Sequence, residues 1–105
     1  MSADAPNRAE RRRLRQRYRR LYDGVLGILA RHDLMNIALL PDEYEPETDT
    51  ILPRLKEAAS VADLQRIVHE EFVRWFAGEA GPIEQYEPIA RDIWDLMQKE
   101  QHELA

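Results

Sequence analysis

Apolar residues in this chain recur at steps of three and four, and no stretch alternates apolar with polar as a half-buried strand does. That rhythm restricts the chain to helices. Leu14, Tyr18, Leu21, Tyr22, Val25, Ile28 and Leu29 make one stripe. Asn7 and Glu10 in front of it have capping-box spacing, which predicts one helix from about residue 8 to His32. Gly24 and Gly27 share a face of that helix, where small residues let a neighbour approach.

Residues 33–45 read as a connecting loop. Pro46 fits the first turn of the next helix, which continues through Ile51, Leu52, Leu55, Ala58 and Ala59, with Pro53 expected to kink or split it. Ser60 and Asp63 mark the next start. Leu64, Ile67, Val68, Phe72, Trp75 and Phe76 then form the strongest stripe, closed by Gly78. Gly81 and Pro82 open the last helix, whose Ile83, Tyr86, Ile89, Ala90, Ile93, Trp94 and Met97 face one way, with Pro88 as a kink or the true start.

The expected fold is all-α: a single-domain bundle of four to five helices. Residues 1–6 are a disordered lead-in, residues 7–100 the bundle with its Arg-rich first helix, and residues 101–105 a frayed tail. The core is expected from Leu21, Val25, Leu29, Ile51, Leu55, Leu64, Ile67, Val68, Phe72, Trp75, Phe76, Ile93 and Trp94. At 105 residues such a bundle holds a modest core and no deep cleft.

Charge is divided along the chain. Residues 1–20 carry eight arginines against Asp4 and Glu10, a net of +6, while residues 21–105 carry seven basic and eighteen acidic side chains, a net of −11. Arg8/Arg12, Arg11/Arg15, Arg13/Arg17 and Arg15/Arg19 are like charges four apart at the positive end of a helix dipole, so this helix frays unless an anion neutralises it. Arg11, Arg12, Arg13 and Arg15 are therefore candidate binding residues. So are Asp42, Glu43, Tyr44 and Glu45, in the densest acidic segment.

Other chemistry has little support. There is no cysteine, which removes disulfides, thiolate metal sites and a cysteine nucleophile and suits a cytoplasmic protein. Serine occurs only at Ser2 and the cap-like Ser60. No glycine-rich phosphate loop and no His-Glu-x-x-His pair is present. His69 and Glu70 are weak metal candidates, and with Asp42 and Glu43 they would make a metal-dependent hydrolase. No cofactor is expected. No apolar run reaches the ~20 residues that cross a bilayer. Arg19 to Ala30 imitates a signal peptide but reads better as amphipathic helix, because Asp23 interrupts it.

Three stretches carry a resemblance: Leu21-Tyr22-Asp23 to Arg31-His32-Asp33; Asp42-Glu43-Tyr44-Glu45-Pro46-Glu47 with Thr50-Ile51-Leu52-Pro53-Arg54-Leu55; and Val68-His69-Glu70-Glu71-Phe72-Val73-Arg74-Trp75-Phe76. Over about residues 20–95 the chain resembles a group of small bacterial helical proteins catalogued as a domain of unknown function. In that group an Asp-Pro-Ile/Leu-Gly turn leads into an Asp-Glu-Tyr-Asp-Pro-Glu segment before a helix. Here Leu34-Met35-Asn36 stands in place of that turn. The resemblance implies a compact all-α fold and no assigned reaction.

The leading expectation is a small soluble non-enzymatic protein-interaction protein, immunity- or antitoxin-like, as monomer or homodimer and away from membranes. The alternatives are a nucleic-acid- or ribosome-associated protein using the arginine helix, and the metal-dependent hydrolase.

Overall fold

The computed structural model describes residues 7–37 and 43–104, and everything described that is regular is helical. The elements are α1 (Arg8–Arg17), α2 (Arg19–His32), α3 (Glu45–Ile51), a 3-10 segment (Leu52–Glu57), α4 (Val61–Phe76), two 3-10 turns (Ala77–Ala80 and Ile83–Tyr86), α5 (Glu87–Lys99) and α6 (Gln101–Leu104). The fold is an all-α bundle. Helix α4 packs along α5, α5 along α2, and α3 lies against both α2 and α4. Among the described residues no helix is long and apolar enough to cross a membrane.

The all-α bundle stands as expected, and among the described residues it holds six helices, the four-residue α6 included, for two physical reasons. First, the helix expected over residues 8–32 is broken at Tyr18, whose backbone (φ −117°, ψ 41°) leaves the helical region. Tyr18 itself is buried, and its carbonyl accepts the Tyr22 N–H at 2.7 Å. The like charges in the arginine turns before it weaken α1 as a helix. Second, residues 101–104 form a helical turn where a frayed tail was expected. The Glu103 carboxylate accepts the N–H of Leu21 at 3.2 Å, satisfying a donor that the break at Tyr18 exposes at the positive end of α2. The lead-in, residues 1–6, lies outside the described residues.

Other signals act where they stand. Asn7 caps α1: the Glu10 N–H donates to Asn7 Oδ1 at 2.8 Å, and Glu10 Oε1 returns the contact by accepting from the Asn7 side-chain Nδ2 at 3.0 Å. Pro53 splits its helix, with α3 ending at Ile51 and a 3-10 segment following. Ser60 caps α4 by accepting the Asp63 N–H at 3.1 Å, and Asp63 reaches back to the Ala59 N–H at 2.8 Å. Pro88 sits in the first turn of α5, whose true start it marks. The closure of α4 falls one residue earlier than expected: Ala77, not Gly78, takes the positive φ of 51°.

Ten of the thirteen expected core residues are buried, from Leu21 to Ile93. The exceptions are Trp75, 47% exposed, and the partly buried Phe76 and Trp94. The period places Trp75 correctly, on the side of α4 that carries Leu64, Val68 and Glu71. At this last turn, however, the opposing residue is the half-buried Thr50, whose hydroxyl accepts the indole N–H at 3.1 Å, so the ring is only partly covered. The aromatic core is built instead around Phe72, with ring centroids 6.2 Å from Tyr44, 5.6 Å from Phe76 and 5.2 Å from Tyr86.

Of the two glycines on α2, one admits a neighbour. A Cβ added at Gly24 would fall 2.6 Å from Leu96 Cδ2 on α5, whereas one at Gly27 meets nothing within 4 Å. Gly27→Ala is therefore expected to stabilise the protein by about 0.5–1 kcal/mol through helix propensity alone. Urea denaturation checks this, and an unchanged or lowered stability would show that Gly27 serves something other than the helix.

Candidate functional site

The cationic element is presented to solvent. Arg8, Arg12 and Arg13 on α1, Arg17 at its end, and Arg19 and Arg20 at the start of α2 are all exposed. None of the described side chains of α1 is buried. The side chains of Arg11 and Arg15 lie outside the described residues. At the junction Tyr18 is the anchor, with the Arg17 guanidinium 5.2 Å and Lys56 Nζ 5.6 Å from its ring centroid.

The acidic segment is more structural than its composition suggests. Asp42 lies outside the described residues. Tyr44 is 1% exposed. Its hydroxyl donates to Asp33 Oδ1 at 2.6 Å and accepts the Met35 N–H at 3.2 Å, while Asp33 Oδ1 also accepts the Ile37 N–H at 2.9 Å. Burial, then the Asp33 hydrogen bond, hold the Tyr44 phenol well above its usual range. Asp33 stands at the C-cap of α2 with φ 48°, so this one phenol fixes how the chain leaves α2 and enters α3. Glu43 and Glu45 are half-buried. On the next turn Glu47 is buried, its Oε2 has no hydrogen-bond partner among the described residues, and burial pushes its carboxyl up.

His69 and Glu70 do meet in one place. They line an open depression of about 590 Å³ together with Arg54, Glu71, Val73 and Arg74. Arg54, from the 3-10 segment, donates from Nη1 to Glu71 Oε2 at 2.9 Å and from Nη2 to Glu70 Oε1 at 2.8 Å, with Glu57 Oε2 3.5 Å from its Nε. Arg74 lies 3.3 Å from Glu71, and Arg66 lies 3.4 Å from Glu70. Burial alone would lower the Arg54 pKa, but the three carboxylates outweigh it and raise it. The same contact, led by the Arg54 hydrogen bond, holds the Glu70 carboxyl below its ordinary value.

His69 Nε2 donates to the Gly81 carbonyl at 2.9 Å, and its ring meets Tyr86 edge-on at 5.1 Å. Glu43 is not among the described residues that line this depression. Three guanidinium groups and three carboxylates balance here, so the arrangement works as a clamp between the 3-10 segment and α4 rather than as an anion or cation receptor. Sequence reasoning placed Glu71 beside His69 and Glu70 as a polar candidate but missed its partners Arg54 and Arg74. The available signal was Glu71, a carboxylate on the apolar arc of Leu64, Ile67, Val68 and Phe72, which demands a buried partner.

A smaller ion-pair group joins α2 to α5. Asp92 lies 2.7 Å from His32 Nε2 and 3.0 Å from Arg31 Nη2, and these contacts, His32 first, keep its carboxyl below the usual range. No protein-family model, no curated protein and no solved structure matches this chain.

Proposed function

We propose that this is a non-enzymatic binding protein that grips nucleic acid through the arginine face of α1 and the start of α2. The carrying observation is that Arg8, Arg12, Arg13 and Arg17 are exposed on α1, which buries none of its described side chains, and that Arg19 and Arg20 continue this exposed row onto the first turn of α2. A polar helix of mutually repelling charges gains stability from an anionic partner rather than from packing. A phosphodiester backbone supplies regularly spaced anions, and guanidinium groups meet phosphate oxygens two at a time. The net charge of −11 over residues 21–105 repels the same backbone and confines contact to the arm.

The test is fluorescence anisotropy with labelled 20-nucleotide RNA and a DNA duplex. If about three phosphates are neutralised, affinity falls about 40-fold for the duplex and about 18-fold for the single-stranded RNA between 50 and 200 mM salt. Charge reversal of Arg12, Arg13 and Arg17 to glutamate should abolish binding while far-UV circular dichroism keeps the bundle signal. No binding at low salt, or binding indifferent to the reversal, would overturn the reading.

A second reading rests on Trp75. A tryptophan 47% exposed beside Arg74 has the composition of a protein-binding hot spot, which supports an immunity- or antitoxin-like role with a protein partner. A photo-crosslinking residue at position 75 should give one discrete adduct in cells, and one at exposed Ala62 none. Equal labelling from both positions would refute it.

A further inference from the structure

Side chains around an α-helix advance by about 100° per residue, so sequence spacing sets where each residue of α1 projects. Taking Arg8 as the origin, Arg12 stands at about 40°, Arg13 at about 140° and Arg17 at about 180°. Ala9 and Gln16 fall between these two pairs, at about 100° and about 80°. All of these residues are exposed. The outer arc of α1 is thus an uncharged ridge, Ala9 and Gln16, with one pair of arginines on each flank.

The arc has a definite orientation. Tyr18, one residue beyond α1, is buried, and at about 280° it lies opposite the ridge. Ala9 and Gln16 therefore point away from the acidic body. Glu10, at about 200°, falls outside both flanks, and its Oε1 accepts from Asn7 Nδ2 at 3.0 Å.

A single row of phosphates engages one flank of such a helix. Cations on opposite flanks, with a neutral ridge between them, match two phosphate rows with a floor between. The major groove of B-form DNA has that form: it is about 12 Å wide and admits a helix whose diameter with side chains is about 10–12 Å. Its floor carries the base edges, and a glutamine there can meet adenine with two hydrogen bonds. In A-form RNA the same groove is too deep and narrow for side chains to read. A single strand offers only one phosphate row. Taking nucleic acid as the partner, as proposed above, we infer that α1 seats in the major groove of duplex DNA. Arg8 and Arg12 meet the phosphates of one strand, Arg13 and Arg17 those of the other, and Ala9 and Gln16 face the base edges.

The test is fluorescence anisotropy of the full chain with a labelled DNA duplex, an RNA duplex and a single-stranded RNA of one sequence. The DNA duplex should bind tightest. Arg8→Gln with Arg12→Gln, and separately Arg13→Gln with Arg17→Gln, should each lower the slope of log affinity against log salt by about 0.9 or more, the contribution of one phosphate. Glutamine is close to arginine in helix propensity, so α1 persists in both variants. Lys99→Gln, at an exposed position on α5, should leave the slope unchanged. Methylating guanine N7, which projects into the major groove, should weaken binding of the DNA duplex several-fold. A slope carried by one flank alone, indifference to N7 methylation, or equal or tighter binding of either RNA would overturn the groove assignment and leave nucleic-acid binding through α1 in place. No binding of any of the three at low salt would overturn both.

Discussion

Arg54→Met is expected to lower the free energy of unfolding by about 3 kcal/mol at pH 7, because it leaves the Glu71 carboxylate buried without its closest partner. Glu71 is 1% exposed, and its 2.9 Å bond to Arg54 is shorter than the 3.3 Å contact from Arg74, which remains in the variant. Methionine keeps the stem of the side chain, so the loss reads out charge and hydrogen bonding rather than a void. The pH dependence has a definite sign. The Glu70 carboxyl is held below its ordinary value of 4.5 by Arg54, so the stability from that contact is complete above 4.5 and fades as pH falls through the lowered value. Solvent screens Glu70, 45% exposed, so its share is the smaller one. The gap between parent and variant should therefore narrow in acid. Adding Glu71→Leu to Arg54→Met should recover most of the loss, since the orphaned charge goes with it. Urea denaturation at several pH values measures each term, and a single-variant loss under about 1 kcal/mol would remove the clamp from the stability argument.

The second large effect is expected at Phe72. Phe72→Ala should cost about 3–5 kcal/mol, the range for deleting a fully buried aromatic ring. Phe72 is 1% exposed and stands between Tyr44, Phe76 and Tyr86. Losing it also removes the support of the Tyr44 ring, so the Asp33 hydrogen bond should loosen with it. For a domain whose total stability is about 5–15 kcal/mol, that is enough to leave a measurable unfolded fraction near room temperature. Phe72→Leu refills much of the space and should lose roughly half as much. Thermal and urea unfolding of the pair would check this. A Phe72→Ala loss below about 2 kcal/mol would mean that the surrounding rings close over the gap.

Helical periodicity and local punctuation made most of the fold legible. Pro53, Ser60 and Pro88 act through backbone chemistry that needs no tertiary context, so their positions translated directly into element boundaries. Tyr18 did not, because its break depends on how α1 and α2 respond to the packed body and to Glu103, eighty-two positions from Leu21. Trp75 was assigned the right side of α4 and the wrong exposure, since period fixes direction but not how far the opposing layer extends. The candidate site was legible only in outline. His69 and Glu70 do share a depression, but Arg54, which defines its chemistry, reaches Glu71 through tertiary packing, while Arg74 meets Glu71 three residues on along α4. The acidic segment misled for a related reason: Tyr44 looks like part of a polar surface, and its phenol is instead the buried fastener between α2 and α3.

Trp75 also provides an optical handle. The chain has two tryptophans, Trp75 and Trp94. In a Trp94→Phe background the remaining indole rests on Thr50 of α3 while projecting from α4. Its emission wavelength and its accessibility to a quencher such as iodide thus report on the seam between those two helices. Slippage of α3, or a partner laid across that corner, becomes visible in a cuvette without any added dye.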